Sequence, residues 1–184
     1  MERYSSSDFW NSACKAGLAL GAVSIAYTMA SMLFTQEMLS NMGVFTARII
    51  SMVLWAAKFA GCIWLMKFFL TRFAFSYADV TRQDLFRQGA AAAFLSALIY
   101  SAFYLAYVSY INPDLFNQAI DTAMETYSSF MDSNTTAMME QMKGNFPKIS
   151  SISNLIYCSI YGTVLSSVLS RTIISDDPFE DTES

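Results

Sequence analysis

The sequence predicts an all-α polytopic membrane protein: four transmembrane helices with a long outer loop containing amphipathic helices. Three observations carry that prediction. Of the 184 residues, 54% are hydrophobic and only 14% are charged, where an average soluble domain carries about 25% charge. The apolar residues fall in four long runs, and no Asp or Glu interrupts any of them. Between the third and fourth runs, apolar residues recur at helical spacing with acidic residues opposite.

The first span covers about residues 10–34. Its uncharged part, Ala16–Phe34, is 19 residues long, enough to cross a hydrocarbon core at roughly 1.5 Å per residue. The second span is about 49–70, the third 89–111 and the fourth, rich in serine, 149–170. Together they make one domain over residues 1–172. The polar, acidic segment 173–184 reads as a disordered cytoplasmic tail. The first run is too long for a secretory leader and lacks a clear cleavage site, so no processing is expected there.

The cations predict orientation. With both termini inside, Arg3, Lys15, Lys67, Arg72, Arg82, Arg87 and Arg171 lie on the cytoplasmic side, against Arg48, Lys143 and Lys148 outside. That asymmetry favours cytoplasmic termini. The 72–88 connection is predicted as a short basic inner loop. Its arginines, Arg72, Arg82 and Arg87, determine topology and are candidate contacts for lipid phosphates.

The outer connection of about 37 residues is too long to be structureless in so compact a chain. Asn112 can cap, Pro113 suits the first helical position, and Asp114 favours the positive helix end. Phe116, Ile120, Ala123, Tyr127 and Phe130 then mark one face, with Asp121, Glu125 and Asp132 on the other. This predicts an amphipathic helix, followed by a second short piece with Met138, Met139 and Met142 that ends before Pro147. The apolar face, Phe116, Ile120, Tyr127 and Phe130, is expected on the outer headgroups, on the bundle, or against a partner protein.

Each span also has a small-residue edge, which lets helices approach closely in lipid. The edges are Ala13, Gly17 and Gly21; Ala57 and Gly61; Gly89, Ala93, Ala97 and Ser101; and Ser159, Gly162, Ser166 and Ser170. The third is the longest. Ala93, Ala97 and Ser101 are expected to pack internally first, and to serve a dimer or partner second.

Chemistry-bearing residues are few. Histidine is absent, which removes the commonest general base and metal ligand. Cys14, Cys62 and Cys158 are dispersed and form no metal-binding or disulfide pattern. No metal, no cofactor and no nucleic-acid partner is expected, and no catalytic constellation is visible. The one conspicuous residue is Lys58, roughly 14 Å along span two from its outer end at 1.5 Å per residue. A central lysine costs about 2.5–3.5 kcal/mol to insert, and the spans offer it no carboxylate. Three readings are open: the lysine is deprotonated or bonded to hydroxyls and carbonyls inside the bundle, with Tyr100, Tyr104 or a span-four serine as candidates; it caps the face of Trp55, three residues earlier; or it meets an anion from a lipid or partner subunit.

"FWNSACKAGLALGAVS", "FRQGAAAAFLSALIY" and "YINPDLFNQAIDTAMET" resemble a Bacteroidetes family of four-span inner-membrane proteins, domain of unknown function 4199. Its most specific part is Asn112, Pro113 and Asp114. The resemblance implies an accessory membrane subunit in envelope glycan or lipid-linked sugar metabolism, working beside a glycosyltransferase. The residues alone fit a non-catalytic accessory or scaffold subunit; the resemblance implies that its complex belongs to the cell envelope. The alternative is a small oligomeric transporter or channel for an anionic solute or lipid. Expected partners are membrane lipids together with a membrane or peripheral protein, or further copies of the chain.

Overall fold

The computed structural model describes residues 4–41, 44–77, 80–111, 114–127 and 132–175. The described chain is helical: α1 (Ser6–Asn41), α2 (Val44–Ser76), α3 (Arg82–Ala106, continued by a π-turn over Tyr107–Ile111), α4 (Asp114–Tyr127) and α5 (Ser133–Ser175). Among the described residues, four stretches are long and apolar enough to cross a membrane: Ser6–Ser31, Ile49–Ser76, Arg82–Ile111 and Lys143–Ile173. The four predicted spans are therefore all present as helices, each longer than its apolar run.

Local capping explains the longer starts. Ser5 Oγ accepts from the Asp8 amide at 3.2 Å, and the Asp8 carboxylate accepts from the Ser5 amide at 3.0 Å. Thr81 and Asp84 make the same reciprocal pair at the start of α3. Each pair satisfies amides that a helix start otherwise leaves without partners. The consequence corrects the predicted 72–88 loop. Phe73, Ala74 and Phe75 continue α2 to Ser76, and Thr81 caps α3, so only residues 77–81 separate the two helices. Arg72 lies on α2, while Arg82 and Arg87 lie on α3.

The region between α3 and α5 is corrected in the same way. The predicted amphipathic helix exists as α4, but its cap residues Asn112 and Pro113 lie outside the described residues. The second short piece does not end before Pro147. It is the first part of α5, which runs through Pro147 without interruption. A proline removes one hydrogen bond to the residue four earlier, here the Lys143 carbonyl, and intact turns on both sides outweigh that loss. An ion pair between Lys143 and Asp121 ties α4 to α5, though an exposed pair of this kind stabilises little. The start of the predicted tail, residues 173–175, is the last turn of α5; the rest lies outside the described residues.

Helix α3 is the spine. It packs along α1 on one side and α5 on the other, while α2 lies against α1 and touches α3 and α5 less. The small-residue edges set these distances. A β-carbon added at Gly17 would stand 3.0 Å from the Ala92 carbonyl oxygen and 2.8 Å from the Leu95 β-carbon. One added at Gly162 would stand 2.3 Å from the β-carbon of Ala93. Ser101 and Ser151 meet across the α3–α5 seam, the Ser101 hydroxyl donating to the Ser151 carbonyl at 2.6 Å and the Ser151 hydroxyl to the Ser101 carbonyl at 3.0 Å. Ser166 donates to the Phe86 carbonyl at 2.9 Å. Interhelical bonds of this kind average about 0.6 kcal/mol in a bilayer. Leu20, Met66, Leu70, Phe73, Leu85 and Leu169 close the core toward the α2–α3 connection.

The start of α5 depends on Asp132, whose carboxylate accepts from the Thr135 amide at 2.8 Å and from the Thr135 hydroxyl. These hydrogen bonds hold its pKa below the ordinary value of 3.8. A depressed carboxylate pKa stabilises the fold above the ordinary value, and that contribution disappears as pH falls through the lowered one. Hydrogen exchange across residues 133–140 should therefore accelerate below that range. Asp132→Asn, which can still cap, should remove the pH dependence.

Candidate intramembrane site

Lys58 is positioned by α2 and enclosed by the other three spans. A side chain on a helix leans toward the N-terminus, and this one reaches inward between α1 and α3. Its Nζ lies 4.9 Å from the centre of the Tyr27 ring and 5.0 Å from that of Tyr100. Both distances are within cation–π range. The Tyr100 hydroxyl is 3.2 Å from Thr28 Oγ1, which also donates to the Ser24 carbonyl at 2.9 Å. The ring below the ammonium is thus held by a polar relay running back to α1.

A cavity of about 90 Å³ opens beside the ammonium. Its walls include Ser24 of α1, Phe59, Cys62 and Met66 of α2, Ser96 and Tyr100 of α3, and Tyr157, Cys158 and Tyr161 of α5. A water needs only about 10–15 Å³ measured this way, so several could solvate the ammonium. Among the described residues no carboxylate lies within ion-pair distance of Lys58. The chamber therefore offers one positive charge, a few hydroxyl and thiol groups, and aromatic walls. It suits an anion or a negatively charged amphiphile.

Of the sequence candidates, Tyr100 is the partner found, through its ring face. Tyr104 stands next to Tyr100, with ring centres 6.3 Å apart. The α5 serines do not line the cavity; Tyr157, Cys158 and Tyr161 occupy that wall. Trp55 is not the cap of Lys58. It packs on Phe59 at 4.3 Å and is 52% exposed, because its face of α2 turns outward while Lys58 turns in. Phe59 in turn meets Tyr161 edge-on at 5.1 Å, closing the seam between α2 and α5.

The other candidates are distributed differently. Ala93, Ala97 and Ser101 are buried within the chain, against α5 and its neighbours, so that stripe is used internally. Tyr127 is exposed at the end of α4. The side chains of Phe116 and Ile120, and all of Phe130, lie outside the described residues. Arg72, Arg82 and Arg87 are exposed at one end of the bundle.

Two residues escaped the sequence reading. Tyr27 forms half of the lysine's cage, and the available signal was its place one turn beyond Ser24 in an otherwise apolar run. Gln88 is fully buried; its Nε2 donates to Ser12 at 2.7 Å, tying α3 to α1, while its Oε1 has no partner among the described residues. A long amide one residue before the Gly89 stripe was the clue to that interhelical tie.

These features define an all-α membrane protein with four spanning helices gathered around α3. Residues 15–172 match the family described as a protein of unknown function, DUF4199, and the chain belongs to it. Neither a curated protein nor a solved structure matches the chain.

The cage makes a specific energetic statement. Removing the lysine relieves an insertion cost of about 2.5–3.5 kcal/mol and loses cation–π contacts worth about 1–2 kcal/mol. Lys58→Met should therefore be at least as stable as the parent chain in detergent. Tyr100→Leu should destabilise the parent by about 1 kcal/mol more than it destabilises Lys58→Met. Equal losses in the two backgrounds, measured by thermal unfolding, would remove the cage from the account.

Proposed function

We propose that this protein is a non-catalytic membrane subunit, an accessory or scaffold element of a cell-envelope complex. Its orientation in the bacterial inner membrane has both termini cytoplasmic. The observation that carries the reading is the unmatched edge of α2. Gly17, Gly21, Gly89 and Gly162 each have a neighbouring atom within 3.1 Å of where a β-carbon would stand, whereas Gly61 has none within 4 Å among the described residues. Ala57, one turn away, is exposed. Small residues in a membrane helix support close approach by another helix, and among the described residues no other helix comes within 4 Å of a β-carbon built at Gly61.

Orientation is supported by the way the antiparallel spans gather Lys15, Lys67, Arg72, Arg82, Arg87 and Arg171 at one end of the bundle, as cytoplasmic ends prefer. A glycosyltransferase acting on lipid-linked sugars is the partner class that the resemblance favours. The second reading, transport or handling of an anionic solute or lipid by an oligomer, draws on the Lys58 cavity.

A photo-crosslinking residue placed at Ala57 in the native host separates the two. The accessory reading expects a stoichiometric adduct with a different membrane protein, and little adduct from the same residue placed at lipid-facing Val164. Adducts only with a second copy of the chain would overturn it in favour of the oligomer.

A further inference from the structure

The N-terminal end of α1 and the C-terminal end of α2 enclose a polar cleft of about 330 Å³, with Lys15 and Arg72 on opposite walls. Ser12 also lines it; its hydroxyl accepts from Gln88 and so keeps its own proton to donate. Asp8 faces the cleft too, but its carboxylate is engaged by the amide and hydroxyl of Ser5 at 3.0 and 2.7 Å. Among the described residues neither Lys15 nor Arg72 has a carboxylate within ion-pair distance. Two cations from different helices thus converge on one opening with uncommitted charge.

Arg72 has a second role. It also borders an apolar groove on the lipid-facing side of α2, formed by Trp64, Phe68 and Thr71 with Lys67. Trp64 and Phe68 stack there with ring centres 6.0 Å apart and planes 19° apart. A polar cationic cleft and an aromatic groove therefore meet at one guanidinium. That juxtaposition matches an amphiphile whose charged phosphate enters the cleft while an acyl chain follows the rings. A free phosphate would leave the groove without purpose. Arginine forks match phosphate oxygens in pairs, and basic pockets between helices near the headgroup level recognise anionic lipids.

We infer that Lys15 and Arg72 form a binding site for the phosphate of an anionic phospholipid, whose acyl chain lies along Trp64 and Phe68. Arg82 and Arg87 border neither the cleft nor the groove, so they do not take part. The site is separate from the Lys58 cavity and does not depend on the accessory-subunit reading.

Native mass spectrometry of the full chain in mild detergent tests this, with dioleoyl phosphatidylglycerol, dioleoyl phosphatidylcholine and inorganic phosphate as probes. The expected result is one phosphatidylglycerol retained at least about tenfold better than phosphatidylcholine, and not displaced by millimolar phosphate. The Lys15→Gln, Arg72→Gln chain should lose that preference, while Arg82→Gln, Arg87→Gln should keep it. Equal loss in both double variants would mean diffuse attraction and overturn the site. Displacement by inorganic phosphate would overturn the lipid as ligand. The selectivity comparison uses the unaltered chain, so equal retention of the two lipids refutes the inference even if a variant fails to fold.

Discussion

The close approach of α3 to α1 and α5 is the constraint on which the other features rest. In lipid there is no hydrophobic gain from bringing two apolar helices together, so association depends on contact and on interhelical hydrogen bonds. Alanine and glycine along α3, α1 and α5 let backbones come near enough for Ser101 to meet Ser151 and for Ser166 to reach the Phe86 carbonyl. Those short bonds would be out of reach if the stripe carried leucine. The same approach brings Tyr27 of α1 and Tyr100 of α3 each to within about 5 Å of the Lys58 ammonium.

Lys58 shows how a costly residue is accommodated without a counter-ion. The charge is spread over two aromatic faces and a small cavity instead of being neutralised by a carboxylate. Cation–π contacts of about 1–2 kcal/mol recover only part of the insertion cost, so a residual penalty remains. The Lys58 side chain is the basic group among the residues that line this cavity. The site is separate from the basic cleft at the end of α1 and α2, where the cations are exposed and water shares their solvation.

The sequence made the spine legible because spacing in fours survives folding unchanged: Gly89, Ala93, Ala97 and Ser101 keep one face along α3. The four spans followed from apolar length alone. Helix ends were less legible. The serine and threonine caps were paired with Asp8 and Asp84, three residues on, and these short acidic partners were not read as helix starts. Pro147 signals a stop because a proline usually ends a helix, yet one lost hydrogen bond is minor in a helix as long as α5. The lysine itself stood out, but its partners did not. Trp55 has the right helical spacing and the wrong facing, and Tyr27 is brought to Lys58 only by the packing of α1 against α2 and α3.

The account stands most directly on the contact between Gly162 and Ala93, and thermal unfolding of two glycine variants in detergent tests it. Gly162→Ala places a methyl group 2.3 Å from the Ala93 β-carbon, which has no rotamer to escape into, whereas Gly61→Ala meets nothing within 4 Å among the described residues. The account predicts a loss of about 1–3 kcal/mol for Gly162→Ala and none, or a slight gain, for Gly61→Ala. Equal stability of the two variants would contradict it, because α3 and α5 would then not be in the contact on which the bundle depends.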